Sequence, residues 1–290
     1  MPEVAQPYCQ LTKEQAMKKT AIQVVICLGF ILFFGSSHAT GTRTALVPLP
    51  SIVDFTNGDG WGVGFGLGVE YETAYEGSDE FELEVEPVGA VQWRNDNHIF
   101  YWAGEAIGWR SLLNDSLLFQ VSLGYEEGRE EGDSDDGRLD GLGKSSSGAV
   151  LLLEGRYALA ENWRYFLDAR ALTGSIGTLG IVGIGTCLSC RPDGTGWEIG
   201  SVVTFHDRKY ANRDFGVSAQ QSINSGLPET NLDLGYRSFG LNINYRSYLS
   251  KRWQIFGEAL YERFGSDVSA SPIARNNYEA EIGIGLIYVF

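Results

Sequence analysis

Three groups of residues in this 290-residue chain are of types that do chemistry. Cys187-Leu188-Ser189-Cys190 sets two thiols at the spacing of a redox pair, half a metal site or a local disulfide. Zinc needs about four ligands, and a redox pair sits on a helix beside a βαβ unit. Neither context surrounds these cysteines, so a disulfide stapling a glycine-rich loop is expected, with a free thiol pair as the alternative. His206-Asp207 offers an imidazole beside a carboxylate, the raw material of a hydrolase, and His98, read as a turn residue, is the other histidine of the chain body. Adjacent strand residues point to opposite faces, so the pair does not by itself orient the imidazole. No Gly-x-Ser-x-Gly elbow accompanies it. The acidic run Glu126-Glu127, Glu130-Glu131, Asp133, Asp135-Asp136 could take calcium but lacks the Gly and terminal Glu of an EF-hand loop. A solvated loop is expected there. No catalytic centre, cofactor or metal site is therefore expected.

The elements that position these groups are strands. Apolar residues alternate with small or polar ones, the period-2 signal of a ribbon with two unlike faces. Trp61, Val63, Phe65, Leu67, Val69, Tyr71 and Tyr75 share one face, opposite Gly62, Gly64, Gly66, Gly68, Glu70 and Glu72. Trp163, Tyr165, Leu167, Ala169 and Ala171 alternate with Arg164, Asp168 and Arg170. Tyr278, Ala280, Ile282, Ile284, Leu286, Tyr288 and Phe290 oppose Glu279, Glu281, Gly283 and Gly285. From Tyr278 to Tyr288 is about 33 Å of strand. Tilted, that is about 25 Å of height, which matches the apolar band of an outer-membrane barrel and puts a tyrosine at each girdle.

A soluble β-sandwich also alternates. Its strands average about five or six residues, and its outer face carries lysine, whereas the chain after residue 39 has only Lys144, Lys209 and Lys251. Glu154, Arg156, Asp168 and Arg170 suit an enclosed interior where opposite charges pair. Closure also removes the exposed edges of so apolar a sheet. The expected fold is an all-β transmembrane antiparallel barrel of about 10–12 strands. Ten strands are evident, near 61–75, 81–93, 98–111, 117–127, 148–159, 163–175, 196–206, 238–249, 252–264 and 277–290. The stretch Ser175 to Gly185 is a candidate for another. Turns at Asn114-Asp115, Glu161-Asn162 and Lys251-Arg252 should share the periplasmic side. The long segments Gly128–Lys144 and Asp207–Tyr236 should lie outside.

Residues 1–39 read as a cleaved signal peptide, with Met17 a second candidate for the start. Met17-Lys18-Lys19 is basic, Ala21 to Phe34 is apolar, and Ser37 and Ala39 are the small residues before a cut. That apolar run spans about 21 Å as a helix, short of a bilayer core of about 30 Å. Residues 40–59 are then a periplasmic N-terminal segment and 60–290 the barrel. Loss of Lys13, Lys18, Lys19, Glu3 and Glu14 leaves 19 basic against 35 acidic residues. Nucleic acid is an improbable partner for such a surface.

Several motifs fall in a recurring order. They are Tyr75-Glu76-Gly77-Ser78; Leu139-Asp140-Gly141-Leu142-Gly143; Tyr210-Ala211-Asn212-Arg213-Asp214-Phe215-Gly216-Val217-Ser218 followed by Gln221-Ser222 and Ser225-Gly226-Leu227; Tyr248-Leu249-Ser250 before Trp253; Ser271-Pro272-Ile273; and Tyr288-Val289-Phe290. In this order the chain resembles the MipA/OmpV family, the MltA-interacting proteins of the outer membrane. The resemblance implies a non-enzymatic barrel that acts as a scaffold joining a lytic murein transglycosylase to a penicillin-binding protein. A narrow solute channel is the alternative, and a rim hydrolase at His206 a second one. The cysteine loop is not a recognised mark of that family, and Asp214 stands where an aromatic is common. The ending with Gly285, Tyr288 and Phe290 in period resembles the C-terminal signal read by the outer-membrane assembly machinery.

Overall fold

The computed structural model describes Thr56, residues 58–188 except Glu105, and residues 195–290. The leader and most of the 40–59 segment lie outside the described residues, as does Cys190. The described chain forms twelve strands: β1 (Gly60–Thr73), β2 (Phe81–Asn95), β3 (His98–Ala103), β4 (Ala106–Asn114), β5 (Leu117–Glu126), β6 (Gly148–Ala158), β7 (Tyr165–Gly174), β8 (Gly177–Leu188), β9 (Gly196–His206), β10 (Gly235–Tyr248), β11 (Trp253–Phe264) and β12 (Tyr278–Val289). Each pairs antiparallel with its sequence neighbour, and β1 pairs with β12 from Gly64↔Val289 to Glu72↔Glu281. The sheet is thus a closed barrel in which every strand has two neighbours.

Two adjustments separate this from the strand reading of the sequence. The stretch 98–111 is two strands, because the chain reverses at Gly104, whose φ of +51° permits the tight turn. The glycine-rich stretch is indeed a strand, β8, and its hairpin with β7 turns on Ser175-Ile176. Three placements also change. Tyr75 lies beyond β1 and is buried, so it does not continue the outward row. Trp163 belongs to a short 3-10 turn before β7. His98 opens β3 instead of lying in the turn.

The alternation sorts the faces as expected. Trp61, Leu67, Tyr71, Leu123, Tyr157, Val182, Ile282 and Ile284 are exposed on the outside, where lipid would cover them. Aromatic pairs ring both ends of that surface. Trp93–Phe100, Trp197–Tyr245 and Trp253–Tyr288 lie near the short turns. Tyr71–Phe81, Phe205–Tyr236 and Tyr261–Tyr278 lie near the long loops. This is the double girdle of an interfacial band.

Inside, charge meets charge in register. Arg156 stands directly opposite Asp168, and Glu154 opposite Arg170. Arg156 donates to both Asp168 oxygens at 2.7 and 3.0 Å and to Glu198 at 2.8 Å. Its guanidinium also lies 3.8 Å from the centre of the Phe166 ring. Gln120 Nε2 donates to Glu154 at 2.5 Å, and Arg170 lies 3.5 Å from the same carboxylate. Such cross-strand pairing of opposite charges is what a buried polar face requires. Across the interior, the wall made by β11, β12, β1 and β2 is acidic. There Glu70, Glu258 and Glu281 hold carboxylate oxygens within 4.8 Å of one another, as do Glu72, Glu82 and Glu84.

Candidate functional site at the capped mouth

The turns Asn114-Asp115, Glu161-Asn162 and Lys251-Arg252 gather at one end of the barrel. The other end carries the long connections, and four of them fold together. These are the β1–β2 loop (74–80), the β5–β6 loop (127–147), the β9–β10 loop (207–234) and the β11–β12 loop (265–277). Helices α1 (Arg208–Asp214), α2 (Ala219–Ser225) and α3 (Ser266–Ser269) lie within them.

Local chemistry explains each piece. Asp207 caps α1 by accepting from Tyr210 N at 2.7 Å. Ser218 and Gln221 form a reciprocal capping box on α2, and Gly226 ends it at φ +76°. The motif run through Ser218, Gln221 and Gly226 is therefore the start and stop of one helical turn. Gly77, at φ +82°, offers its carbonyl to Arg275 N at 2.7 Å and Asn276 N at 2.9 Å.

The cap has its own apolar interior. Ala74, Tyr75, Leu139, Leu142, Val217 and Ile273 form one buried cluster, and Ala211, Phe215, Leu232, Phe264 and Val268 another. Bonds between loops stitch it. Tyr75 Oη donates to Ile273 O at 3.4 Å, and Ser271 Oγ to Phe215 O at 2.6 Å. Arg138 donates to Pro272 O, and Gln221 Nε2 to Leu142 O at 2.7 Å. Val217 pairs with Thr230 in a two-way bridge, and Gly216 N donates to Asn212 O at 3.2 Å. Ser78 N donates to Tyr75 O, and Ser78 Oγ accepts from Glu80 N at 3.0 Å. The motif residues from Tyr75 to Ser78, from Tyr210 to Val217, and at Ser271-Pro272 are thus brought together in the cap.

Beneath the cap lies a buried ionic layer. Arg237 is 0% exposed. A bulge between Tyr236 and Ser238 frees it from the β9–β10 register, and bulges re-aim side chains in this way. Its Nη2 is 2.7 Å from Glu76 and its Nε 3.6 Å from Glu262. Phe215 and Phe264 flank the guanidinium at 5.3 and 5.6 Å from their ring centres. Arg213 pairs with Glu126 and donates to Glu127 O, and Arg129 donates to Asp214 O. Tyr210 Oη donates to Glu126 at 2.8 Å. Burial, with Glu126 beside it, holds the Tyr210 phenol well above its usual range, so it remains a donor. Burial likewise pushes the Asp214 carboxyl up to about 7, with Glu76 the next contributor.

The sequence did not point to this layer as a unit. Arg129, Arg213 and Arg237 come from separate segments and meet only after the loops have closed. The one local sign is Arg237, an arginine between Tyr236 and Phe239 at the mouth of an apolar strand.

The other candidate residues are dispersed. His206 is buried under the cap and its Nδ1 has no hydrogen-bond partner among the described residues, while Asp207 is engaged in capping α1. The two do not form a dyad. His98 stacks on Trp109 at the far end of the barrel. The acidic loop is folded and bonded, with Glu131, Asp135 and Asp136 exposed. Glu131 accepts from Gly143 N, Glu130 from Lys144, and Asp136 from Ser134, Arg138 N and Arg275. The Ser134 hydroxyl is the main cause holding the Asp136 carboxyl below its usual range. Cys187 lies in β8 and not in the loop after it, and it is disulfide-bonded. Gly285 faces inward against Phe256, while Tyr288 faces out and accepts from Arg252 at 2.7 Å. Phe290 lies 5.0 Å from the Tyr288 ring, and its N donates to Val63 O at 3.0 Å.

The family described as MltA-interacting protein MipA matches residues 65–290, which contain every strand but the start of β1 and all four cap loops. The chain belongs to the MipA family. Its MipA region is an outer-membrane barrel with the motif residues of the β1–β2, β9–β10 and β11–β12 loops at one mouth. Among curated proteins none matches the chain. Among solved structures, the translocator domain of the autotransporter NalP from Neisseria meningitidis is similar at TM-score 0.42 and 10% identity, over 96% of this chain and 99% of that one. The toluene transporter TodX of Pseudomonas putida is similar at 0.38 and 9%, over 87% and 92%. The CymD monoaromatic hydrocarbon channel is similar at 0.37 and 10%, over 80% and 88%.

Proposed function

We propose that this MipA-family barrel is a non-catalytic outer-membrane scaffold whose short-turn end engages murein enzymes in the periplasm. The observation that carries this is the capped mouth. A barrel closed at one end by bonded loops, and crossed inside by the Arg156–Asp168–Glu198 ladder, makes a rigid platform and a poor open pore. Outer-membrane barrels keep short turns on the periplasmic side, so the cap faces out and the turns face murein. The family description, an MltA-interacting protein, supports a lytic transglycosylase as partner, with a penicillin-binding protein as the second. On the same reading residues 1–39 are an export signal, 40–59 reach into the periplasm, Gly285, Tyr288 and Phe290 serve the assembly machinery, and Cys187 is stapled to Cys190. Purified transglycosylase immobilised on resin should retain the refolded barrel above a control resin. Retention equal to control removes the scaffold reading.

A narrow channel is the second reading, favoured by the carboxylates that line the β11–β12–β1–β2 wall. Planar-bilayer recordings without discrete conductance steps exclude it. The rim-hydrolase reading has little support, since His206 and Asp207 serve different partners. His206→Ala should leave any lipid or peptide hydrolysis by the preparation unchanged.

A further inference from the structure

The barrel wall is of uneven height. β3 has six residues and β4 nine, whereas β2 beside them has fifteen. β3 pairs with β2 only from Ala90↔Ala103 down to Asn95↔His98, and β4 pairs with β5 only up to Ile107↔Leu123. Above that short hairpin, no described strand stands between residues 81–88 of β2 and residues 124–126 of β5. Two strands are missing there, a width of about 10 Å. Ala74 N donates to Glu80 O at 3.1 Å at the head of the β1–β2 ladder. The alternation of backbone direction then sends the even residues of β2 toward β1 and the odd ones toward the gap. Phe81, Leu83 and Val85 thus present N–H and C=O groups there, and no described residue bonds them. Pro87, which has no N–H, takes the next place on the same margin. Val85 is 64% exposed, while Val69, its direct partner on β1, is 38% exposed. The β5–β6 loop bridges the top of the gap, where Asp135 N and Asp136 N donate to Glu80 at 3.0 and 3.1 Å.

We propose that this gap is a lateral window, through which a single-chain amphiphile with a cationic head passes between the surrounding lipid and the barrel interior. The gap lies at membrane depth, since Phe81 belongs to one aromatic girdle and Trp93, lower on the same strand, to the other. An open strand margin persists at that depth only where it borders protein or a water-filled cavity. A further strand is a poor filling. Prolines and inward charges are the devices that keep a margin from pairing, and Pro87 with Glu82, Glu84 and Glu86 supplies both. The margin therefore borders a wet passage. The outer frame of the passage is apolar, with Leu83, Val85, Ile107 and Leu123 exposed to lipid. Its inner frame is acidic. Glu82, Glu84 and Glu86 are half-buried on the inward face of β2, and Glu72 shares a 4.8 Å cluster with the first two. The first frame suits a hydrocarbon tail and the second an ammonium head. This proposal does not depend on the scaffold reading, which concerns the opposite end. It differs from the channel reading because the path crosses the wall instead of following the axis.

The test uses the full chain refolded into phosphatidylcholine nanodiscs. Dodecylamine is the probe, with dodecanol supplying the tail without the charge and ethylamine the charge without the tail. Retention above protein-free nanodiscs should be about tenfold or more greater for dodecylamine than for either. Amides of Leu83 and Val85 should exchange about a hundredfold or more faster than those of Glu82 and Glu84, which bond to β1. Glu82→Gln combined with Glu84→Gln should cut dodecylamine retention about tenfold. Dodecanol retained as well as dodecylamine overturns the proposal. So does ethylamine retained as well, which marks a plain cation site. Leu83 and Val85 amides as protected as their neighbours overturn it too, because a strand of a second copy or another protein is then seated on the margin. Unchanged retention in the folded double variant has the same effect. Where that variant does not fold, the three probes and the exchange rates of the wild type decide.

Discussion

Arg237 is the residue on which the closed mouth depends. It joins the β1–β2 loop through Glu76, the β9–β10 loop through the Phe215 ring, and the barrel wall through Glu262 and the Phe264 ring of β11. Arg237→Ala leaves two carboxylates buried without their cation, a change that costs about 3–5 kcal/mol. We expect a lower urea midpoint and faster protease cleavage within 207–234. Arg237→Lys should rescue it poorly, because an ammonium cannot serve both carboxylates from between two rings. Ser271→Ala is a milder probe. It removes the hydroxyl that donates to Phe215 O and should cost about 1 kcal/mol by the same titration. At this scale the sequence was only partly legible. Arg156 with Asp168, and Glu154 with Arg170, could be read as interior pairs because they are cross-strand neighbours on one hairpin. The Arg237 layer could not, because its members are separated by long stretches of chain and one of them lies on a bulge.

Among the elements, the seam between β1 and β12 is the least forgiving. A Cβ on Gly66 would lie 1.8 Å from the Leu286 carbonyl oxygen. Gly66→Val should therefore force the seam apart at a cost of about 1–3 kcal/mol or more. The measurement is gel migration without heating, where a barrel that has not closed runs like the heated chain. Gly155→Val, on the lipid face with nothing within 4 Å, should migrate as wild type. Elements were the most legible scale, since period-2 alternation survives in nearly every strand. It failed where turns were disguised. Nothing in Ala103-Gly104-Glu105-Ala106 looks like a break until the φ of Gly104 is known, and β8 hides among glycines. Tyr75 was read as the next member of an outward row because periodicity cannot tell where a strand yields to a loop. Its burial follows from Ile273, residues away in the last loop.

For the molecule as a whole, the charge distribution was legible and its purpose was not. Lys144, Lys209 and Lys251 all lie in loops or in α1, as a lipid-facing wall demands. The cap could not be foreseen as a body, because four connections that look like separate polar loops share two apolar clusters. Treated as one body, it should behave as one in unfolding. Cleaving a single cap loop with protease should lower the protection of the other three by a similar factor, as cooperative units do. Loss of protection confined to the cut loop would show four independent flaps.

The pairing of the first strand with the last sets a rule for biogenesis. No partly made chain can satisfy both margins of this ribbon. A nascent chain lacking β12 bears two raw borders, each able to zipper onto a stranger. Completion is therefore all-or-nothing, and truncated products should be degraded or held by chaperones before they reach lipid.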